Sequence, residues 1–466
     1  MNQSIIQGGM GVYISTPFLA KSCSLGGALG TVSCVGAERI LVRILQSGDP
    51  GGRYQHALRN FPFPEVAEQI IKKYFVAGGI PANQKFKKIP SFSMQSNSDL
   101  IWLTVAASFA FVWLAKEGHA NPVSVNYLEK TQIPLIYHIT GAMLAGVDYV
   151  TIGAGITLQI PGVLDAIASG GVPSYRVSVE GSKDGYKTIS FNPSTFFSGR
   201  FSELKRPGFL PIVSTDVLAS LMVKKLPSGS IQGFVVELTT AGGHNALPRE
   251  KVGFDENGQP LYGKKDAVAF EKLRALGIPF WIGGSFASPQ GLAKAKSFGA
   301  VGIQAGSIFA LCEDSGMDPS FRREMIRLGY RGELIVRTDS RASPTGFPFK
   351  VVQLPGTQSD PAVYADRTRV CDLSILLVPY LQNNGKVGFR CQSEPIEKYL
   401  HKGGKLENTI GARCLCNGLF SASGLGNPNE SPIFTMGDDV SFLRYLMLNE
   451  NGSYRAADAI KYLLSV

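Results

Sequence analysis

The sequence predicts an α/β protein built on a (β/α)8 barrel, with insertions and a C-terminal extension. Eight short apolar segments, several of which end in Gly, Ser or Thr, are separated by helical patterns. Their cores are continuously apolar rather than alternating, which is typical of parallel strands covered on both faces. The 466 residues exceed the roughly 250 that such a barrel needs. A doubly wound sheet is the alternative, but no G-x-G-x-x-G motif stands between a strand and a helix.

The predicted strands follow one another along the whole first part of the chain. In order they are SIIQGGMG (4–11), GALGTVSC (27–34), PVSVNYLE (122–129), VDYVTIGAG (147–155), FLPIVST (209–215), GFVVELTTAGGH (233–244), IPFWIGGS (278–285) and AVGIQAGS (300–307).

Helix start and stop signals lie between these strands. TPFLAKSCSLGG (16–27) has an apolar face and a glycine stop. In SPQGLAKAKSFGA, Ser288 is the predicted N-cap, Pro289 the first helical residue and Gly299 the stop. In DAVAFEKLRALGI, a helix is predicted to open at Asp266 and close at Gly277.

The predicted domain organisation is a barrel over residues 1–330 and an extension over 331–466 that packs on it. Insertions are expected near 36–120 and 174–208, where the chain exceeds the minimum barrel. The segment SRASPTGFPFKVVQLPGT (340–357) is interpreted as irregular chain. CDLSILLVPYL (371–381) is an apolar stretch suited to packing on the barrel or on a second subunit, so a homo-oligomer is left open.

Composition argues against two classes of partner. The 46 basic and 36 acidic residues give a formal charge of +10, but the basic residues are dispersed, which disfavours nucleic acid and fits small anionic ligands. The N-terminus lacks signal-peptide features, and the longest apolar run, Ile101–Ala115, is shorter than the roughly 18–20 residues that span a bilayer. A cytoplasmic protein without a membrane partner is therefore expected.

The candidate site lies at the C-terminal strand ends, where barrels of this type bind and transform ligands. Gly283 and Gly284 after the seventh strand, and Gly306 and Ser307 after the eighth, predict a phosphate site at a helix N-terminus. Glycines after the first strand allow a flat ring to lie against the backbone. His244, behind Ala-Gly-Gly, is a candidate acid or base because a neutral imidazole suits proton transfer near pH 7.

The motifs IIQGGMG, GGALGTVS, VSVN, TTAGGHNA and WIGGSFASPQGLAKAKSFGAVGIQAGSIF resemble, in order, those of the nitronate monooxygenase (2-nitropropane dioxygenase) family. GAMLAGVDYVTIGAGI is similar to longer members of that superfamily, which includes flavin-dependent enoyl reductases. The resemblance covers roughly residues 5–315 and implies a TIM barrel with non-covalent FMN.

The resemblance also implies roles for particular residues. His244 would be the catalytic base toward a neutral nitroalkane, whereas a nitronate is already deprotonated. The chain departs from the family at Asn245, where a small residue is common, and in TGFPFK (345–350), whose only basic residue is Lys350. The implied FMN-binding residues are Gly9, Met10 and Gly11 near the ring, Asn126 at its polar edge, Gly243, and Gly283, Gly284, Gln304, Gly306 and Ser307 around the phosphate.

Three functions stay open at this point. The first is oxidation of alkyl nitronates or nitroalkanes with O2, the second is NAD(P)H-dependent reduction of an enoyl thioester, and the third is a non-catalytic flavin-binding subunit of a larger synthase. No catalytic metal is expected. The sequence leaves undecided whether the four cysteines of the extension bind a metal, because their spacing matches no standard pattern, and buried, inert thiols are the preferred interpretation (Cys371, Cys391, Cys414 and Cys416).

Overall fold

The computed structural model describes residues 3–250 and 252–465. Eight parallel strands form one sheet in which each strand from the second to the eighth pairs with its neighbour along the chain, and the eighth pairs with the first. The strands are β1 (Ile5–Gln7), β2 (Gly30–Ser33), β3 (Val123–Leu128), β4 (Tyr149–Gly153), β5 (Gly208–Val213), β6 (Phe234–Glu237), β7 (Phe280–Gly283) and β8 (Gly302–Ala305).

The sheet closes between β1 and the residue that precedes β2. Ile6 forms a parallel bridge with Leu29. The Leu29 N–H donates to the Ile5 carbonyl at 2.9 Å, and the Gln7 N–H donates to the Leu29 carbonyl at 3.0 Å. The predicted (β/α)8 barrel is confirmed, and all eight predicted strands are present.

The strands are buried on both faces, as their continuous apolar runs require. One face joins the large core beneath the helices, to which Phe234 and Phe280 belong. The other face forms a separate cluster that fills the barrel interior. Its fully buried members come from five barrel segments: Ile6, Leu29, Leu210, Val235 and Trp281.

Helices surround the barrel, and the longest insertion lies between β2 and β3. Those of the barrel region are Pro17–Leu25, Ala37–Gln46, Arg53–Arg59, Pro64–Tyr74, Ser98–Lys116, Leu135–Leu144, Ile160–Ala168, Pro193–Phe196, Asp216–Lys225, Phe270–Ala275, Pro289–Ser297, Ser307–Ala310 and Pro319–Arg331, with short 3-10 helices at Pro50–Gly52 and Lys264–Asp266. Between β4 and β5 lies an antiparallel hairpin, Ser174–Ser178 with Tyr186–Ser190.

The helix start predicted at Ser288 is confirmed by its capping bond, and Thr16 caps the helix of the first predicted helical segment in the same way. Thr16 Oγ1 accepts the Leu19 N–H at 3.0 Å, and Ser288 Oγ accepts the Gly291 N–H at 2.9 Å. The helix start predicted at Asp266 was wrong, because that helix begins at Phe270. The Asp266 carboxylate instead accepts the N–H groups of Gly263 and Arg249, both at 2.8 Å, and so caps the 3-10 turn before the helix.

The apolar run Ile101–Ala115 belongs to a longer helix than the sequence suggested. That helix, Ser98–Lys116, has 19 residues and a mean hydropathy of 1.6 over its apolar window, so length and composition alone would let it cross a membrane. The prediction that this segment is too short was therefore wrong. However, 72% of the window is buried within the protein, where the helix packs against Leu135–Leu144.

The extension contains more regular structure than expected. Within the stretch taken as irregular, Phe349–Gln353 forms an antiparallel hairpin with Ile335–Asp339, so that expectation was wrong. The β-branched pair in FKVVQ explains this strand. The remaining elements are the helices Pro361–Asp366, Ile396–His401, Leu415–Ala422, Leu443–Leu446 and Ala456–Leu463, the 3-10 helix Leu406–Thr409, and the hairpin Val378–Leu381 with Val387–Arg390.

The extension contacts the barrel through its core and its hydrogen bonds. Phe420 and Phe434 belong to the same buried core as the barrel helices. Near the C-terminus, the Tyr454 hydroxyl donates to the Ile308 carbonyl at 2.7 Å, just after β8. These contacts place parts of the extension at the C-terminal end of the barrel.

Candidate active site

A cavity of about 260 Å³ opens at the C-terminal ends of the barrel strands. Its floor comes from the strand ends, and one wall comes from the extension, including Ile375 and Leu415. Every residue predicted as catalytic or FMN-binding lines this cavity: Gly9, Met10, Gly11, Asn126, Gly243, His244, Gly283, Gly284, Gln304, Gly306 and Ser307. The fold thus brings together positions that are up to 298 residues apart, from 9 to 307.

The loop after β1 lies directly against the end of β3. A Cβ placed on Gly9 would be 2.2 Å from Asn126 Cβ, so only glycine fits there. Asn126 is itself buried, and its amide nitrogen donates to the Thr151 carbonyl at 3.3 Å. The close approach keeps the mouth free of side chains at this point, which leaves room for a flat ligand.

Two buried residues that sequence reasoning missed hold the same loop. Ser15 Oγ accepts the Met10 N–H and donates to the Gly8 carbonyl, each at 2.9 Å. The Gln7 side chain donates to Ser15 Oγ at 2.7 Å and accepts the Thr31 N–H at 2.8 Å. These bonds fix the position of Met10. Gln7 belongs to the motif IIQGGMG but was given no role, and no motif included Ser15.

The ends of β7 and β8 form an open cradle. Gly284 has a φ of +108°, which favours glycine, and a Cβ on Gly306 would meet only Met10, at 3.7 Å from its Sδ, before entering the cavity. Nearby, the buried Gln304 Oε1 accepts no hydrogen bond among the described residues. An unsatisfied buried acceptor costs about 1–3 kcal/mol, so a donor from a bound molecule would stabilise it.

The helix expected after β8 is only one turn long, Ser307–Ala310. A helix this short adds little macrodipole, so an anion here would depend on local N–H groups instead. Ser307 Oγ accepts the Gly437 N–H from the extension at 3.0 Å, and its own hydroxyl proton remains free to donate. The extension therefore forms part of this cradle, which the sequence did not indicate.

His244 is held by the extension on both sides. Its Nε2 and Ser343 Oγ share a hydrogen bond of 2.7 Å, and its ring meets Phe349 edge to face at 4.9 Å between centroids. The preceding Gly243 has a φ of +87°, and its N–H donates to Thr435 Oγ1 at 2.7 Å. These contacts orient the imidazole at the edge of the cavity.

The electrostatic surroundings keep His244 neutral. Burial, with a smaller contribution from the positive charge of Lys130, lowers the imidazole pKa to about 3. At neutral pH the ring is therefore uncharged, with one nitrogen as a donor and the other as an acceptor. Lys130 itself lies over the Phe347 ring, 3.5 Å from its centroid.

The two departures from the family pattern have structural explanations. Lys350 is buried, and its Nζ forms an ion pair with Asp438 at 2.6 Å. Asn245 is also buried, and its side chain donates to the Ala241 carbonyl at 3.1 Å. Neither side chain lines the cavity, whereas Phe349, next to Lys350, does.

Glu237 is a cavity residue that the sequence analysis did not single out. It is the last residue of β6, and it lines the cavity together with His244. Burial raises the pKa of its carboxyl to about 8, so the group is largely protonated at neutral pH. The signal was available, since an acidic residue that ends a continuously apolar strand is unusual in a buried segment.

Comparisons with known proteins give structural neighbours only. The sequence matches no family model and no curated protein. The enoyl reductase domain of MlnA from the macrolactin biosynthesis cluster of Bacillus amyloliquefaciens is similar with a TM-score of 0.50 at 11% identity, over 99% of this chain and 94% of that chain.

Two further neighbours have slightly lower TM-scores. FabK from Thermotoga maritima has a TM-score of 0.49 at 14% identity, over 100% of this chain and 92% of that chain. Nitroalkane oxidase from Streptomyces ansochromogenes has a TM-score of 0.45 at 12% identity, over 99% and 94%. The resemblance is confirmed at the level of the fold. At these identities the choice between the activities depends on the site itself.

Proposed function

We propose that this chain is an FMN-dependent oxidoreductase that oxidises alkyl nitronates, and more slowly neutral nitroalkanes, with O2. The observation that carries the proposal is the glycine-lined cavity at the strand ends, with the buried, unpaired Gln304 Oε1 beside it. A cavity that needs a hydrogen-bond donor and has glycines at its strand ends fits a planar ligand with N–H and phosphate groups.

The residues present fit FMN. Gly283, Gly284 and Gly306 would let the phosphate approach the backbone, with the Ser307 hydroxyl as a donor. The loop Gly9–Gly11 and Asn126 would lie along the ring, supported by the Ser15 bonds described above. When bound, FMN would supply the acceptance of electrons from the substrate and their transfer to O2.

The state of His244 favours an anionic substrate over a neutral one. A neutral imidazole whose conjugate acid has a pKa of about 3 is a weak base for removing a proton from carbon. A nitronate has already lost that proton, so it needs only binding and orientation. The imidazole can donate a hydrogen bond to a nitronate oxygen. The positive charge of Lys130 also favours the negative charge of a nitronate nearby.

Glu237 supports a second candidate, reduction of an enoyl thioester with NAD(P)H. After hydride addition to the β-carbon, the α-carbon needs a proton. A carboxyl group with a pKa of about 8 is protonated at neutral pH and can donate that proton. His244 is a poorer proton donor, because its imidazole is neutral at this pH and has no imidazolium proton to give. This candidate needs Glu237 as acid, whereas the nitronate reaction does not.

The test is an anaerobic visible spectrum of the FMN-loaded protein. A flavin band that persists with NAD(P)H and bleaches with an alkyl nitronate is the expected result. Bleaching by NAD(P)H would favour the enoyl reductase instead. A flavin band that persists with every substrate would favour the non-catalytic subunit. Absence of a protein-bound flavin band, after FMN is added and the excess is removed, would reject all three.

A further inference from the structure

A second, smaller cavity lies beside the cavity at the barrel mouth. Its volume is about 50 Å³, and Ile375 of the extension lines both cavities. The titratable side chains that line it are those of Glu38, Arg39, Lys130 and His138. None of the proposed FMN-binding residues lines it, so this space is separate from the FMN site.

Two helices of ten residues each begin at this cavity. Gly36 is the N-cap of Ala37–Gln46, Pro134 is the N-cap of Leu135–Leu144, and both N-cap residues line the cavity. Neither N-cap provides a side chain that accepts a hydrogen bond from its helix. First-turn N–H groups without such a cap carry partial positive charge, so the positive ends of two helix dipoles meet here.

His138 brings an unsatisfied polar atom to the same cavity. The residue is 2% exposed, and its Nε2 lies 3.1 Å from Glu38 Oε2. Its other ring nitrogen, Nδ1, has no hydrogen-bond partner among the described residues. Buried polar atoms without a partner are rare in folded proteins, so this nitrogen indicates a bound molecule in the cavity.

The carboxylate of Glu38 is ionised and already paired. Burial raises the pKa of this carboxyl, but the charges of Arg39 and His138 outweigh that effect and lower the pKa to about 2. Arg39 Nη1 donates to Glu38 Oε1, so these two charges cancel each other. The cations that remain at the cavity are Lys130 and, when both its ring nitrogens are protonated, His138.

Lys130 lacks a paired anion. Within the described part of the chain it forms no ion pair, and its Nζ lies 3.5 Å from the centroid of the Phe347 ring. Burial lowers the pKa of this ammonium, and the nearby charge of Glu129 only partly opposes that effect. The Glu129 carboxylate is occupied elsewhere, because its Oε1 accepts from Gln132 Nε2 at 2.6 Å and from the Tyr175 hydroxyl at 3.2 Å.

We propose that this cavity binds one small, singly charged oxyanion of the carboxylate or nitrate class. A volume of about 50 Å³ corresponds to roughly three to five water-sized spheres, which is room for an anion of three or four non-hydrogen atoms. One negative charge pairs with Lys130, whereas the carboxylate of Glu38 repels a multiply charged anion.

An oxyanion suits this cavity better than a halide, because its donors lie on different walls. Several oxygens can accept from the two helix N-termini and from the ammonium of Lys130 at once. With both ring nitrogens protonated, His138 donates to Glu38 through Nε2 and to the anion through Nδ1. The bound anion therefore satisfies the buried nitrogen that the protein itself leaves unpaired.

The anion would act on the active site without entering it. Ile375 forms part of the wall between the two cavities. Burial lowers the pKa of His244, and the charge of Lys130 lowers it further. An anion that pairs with Lys130 would weaken that second effect. The binding site itself does not depend on the proposed flavin reaction.

The first test is calorimetric titration of the full-length protein, saturated with FMN, with sodium formate. Sodium gluconate holds the ionic strength constant, because gluconate is too large for a cavity of about 50 Å³. We expect saturable binding of one formate per chain. Nitrate should compete with formate, whereas formamide, which has the same number of non-hydrogen atoms but no charge, should not. Absence of saturable binding of both formate and nitrate would overturn the proposal.

Variants locate the bound anion. His138→Phe and Lys130→Met each remove one donor, so each should weaken formate binding at least about tenfold. Lys224→Met, which removes an exposed lysine elsewhere, and His244→Asn, which alters the active site, should bind formate normally. If His138→Phe does not fold, Lys130→Met decides the question.

A crystal structure of the formate complex gives the position directly. Electron density for formate within hydrogen-bond distance of His138 Nδ1 is the expected result. Density at the barrel mouth instead, or binding that is lost in His244→Asn and retained in Lys130→Met, would reject this site.

Discussion

His244 Nε2 and Ser343 Oγ share a hydrogen bond of 2.7 Å although 99 residues separate them in the chain. His244 follows β6 of the barrel, and Ser343 belongs to the extension. Ser343 Oγ is in turn 2.8 Å from Thr345 Oγ1. The candidate active site is therefore completed by a part of the chain that lies outside the barrel, and the orientation of the imidazole depends on it.

Replacing Ser343 should weaken turnover without releasing the flavin. Ser343→Ala leaves one imidazole nitrogen without its partner, and a single such bond contributes about 0.5–1.5 kcal/mol. We expect nitronate turnover to fall roughly two- to tenfold. The pH dependence of turnover should shift as well, and FMN affinity should stay unchanged.

Thr345→Val is the matched control, because it removes the next hydroxyl in the same chain of hydrogen bonds while preserving shape. Its effect on turnover should be the smaller of the two. Equal losses in both variants, or loss of FMN from Ser343→Ala, would show that Ser343 acts on the fold rather than on the imidazole.

Replacing His244 should separate the two substrate classes. His244→Asn keeps a polar group of similar size, so FMN should remain bound. Oxidation of neutral nitroalkanes should drop by a factor of about 10² or more, the usual size of a lost general base, whereas nitronate turnover should largely survive. Steady-state kinetics with both forms of one substrate measures this, and equal losses would remove His244 from the role of base.

His244 also predicts a loss of stability in acid. Its pKa is lowered from 6.5 to about 3 in the folded protein, so between these values the unfolded chain binds a proton that the native chain does not. The free energy of unfolding therefore falls as pH drops below 6.5, by up to about 1.4 kcal/mol per pH unit.

Urea unfolding at pH 7 and pH 5 measures this effect. His244→Asn should lose less stability over that interval than the natural protein, and the exposed His401→Asn should behave like the natural protein. If all three proteins lose the same stability between pH 7 and pH 5, groups other than His244 are responsible for the loss.

A negative charge in the cradle should expel FMN. Gly306→Asp places a carboxylate where the phosphate is proposed to lie, since a Cβ there faces the cavity. We expect FMN affinity to fall by a factor of at least about 10², the effect of roughly 3 kcal/mol. Gly162→Asp, at an exposed helical glycine with open space around it, is the control that should bind FMN normally. Normal FMN binding by Gly306→Asp would show that the phosphate does not bind at Gly306.

Glu237 predicts a second pH effect. With its pKa raised to about 8, the carboxyl is protonated in the folded protein at neutral pH and ionises as pH rises past 8. A titration with a midpoint near pH 8 is expected in the visible spectrum of the FMN-loaded protein, because a charge would appear beside the ligand. In Glu237→Gln this titration should disappear, and nitronate turnover should be retained. If the titration persists in Glu237→Gln, a group other than Glu237 is responsible for it.

The sequence by itself determined the barrel and the position of its candidate site. Eight continuously apolar segments are buried on both faces only as parallel strands under helices, and their glycine-rich ends all lie at one edge of a barrel. These are local patterns, so Gly9, His244 and Gly306 could be identified without coordinates. The start of the helix at Phe270 could not, because Asp266 receives N–H groups from elsewhere in its loop.

The tertiary structure alone decided what surrounds those strand ends. The pairing of Ser343 with His244 and the contact of Gly437 with Ser307 join residues far apart in sequence. The pKa of Glu237 likewise depends on how completely other segments bury it. Periodicity and spacing report on neighbours along the chain, whereas burial and hydrogen bonding between distant segments are set only when the whole chain packs.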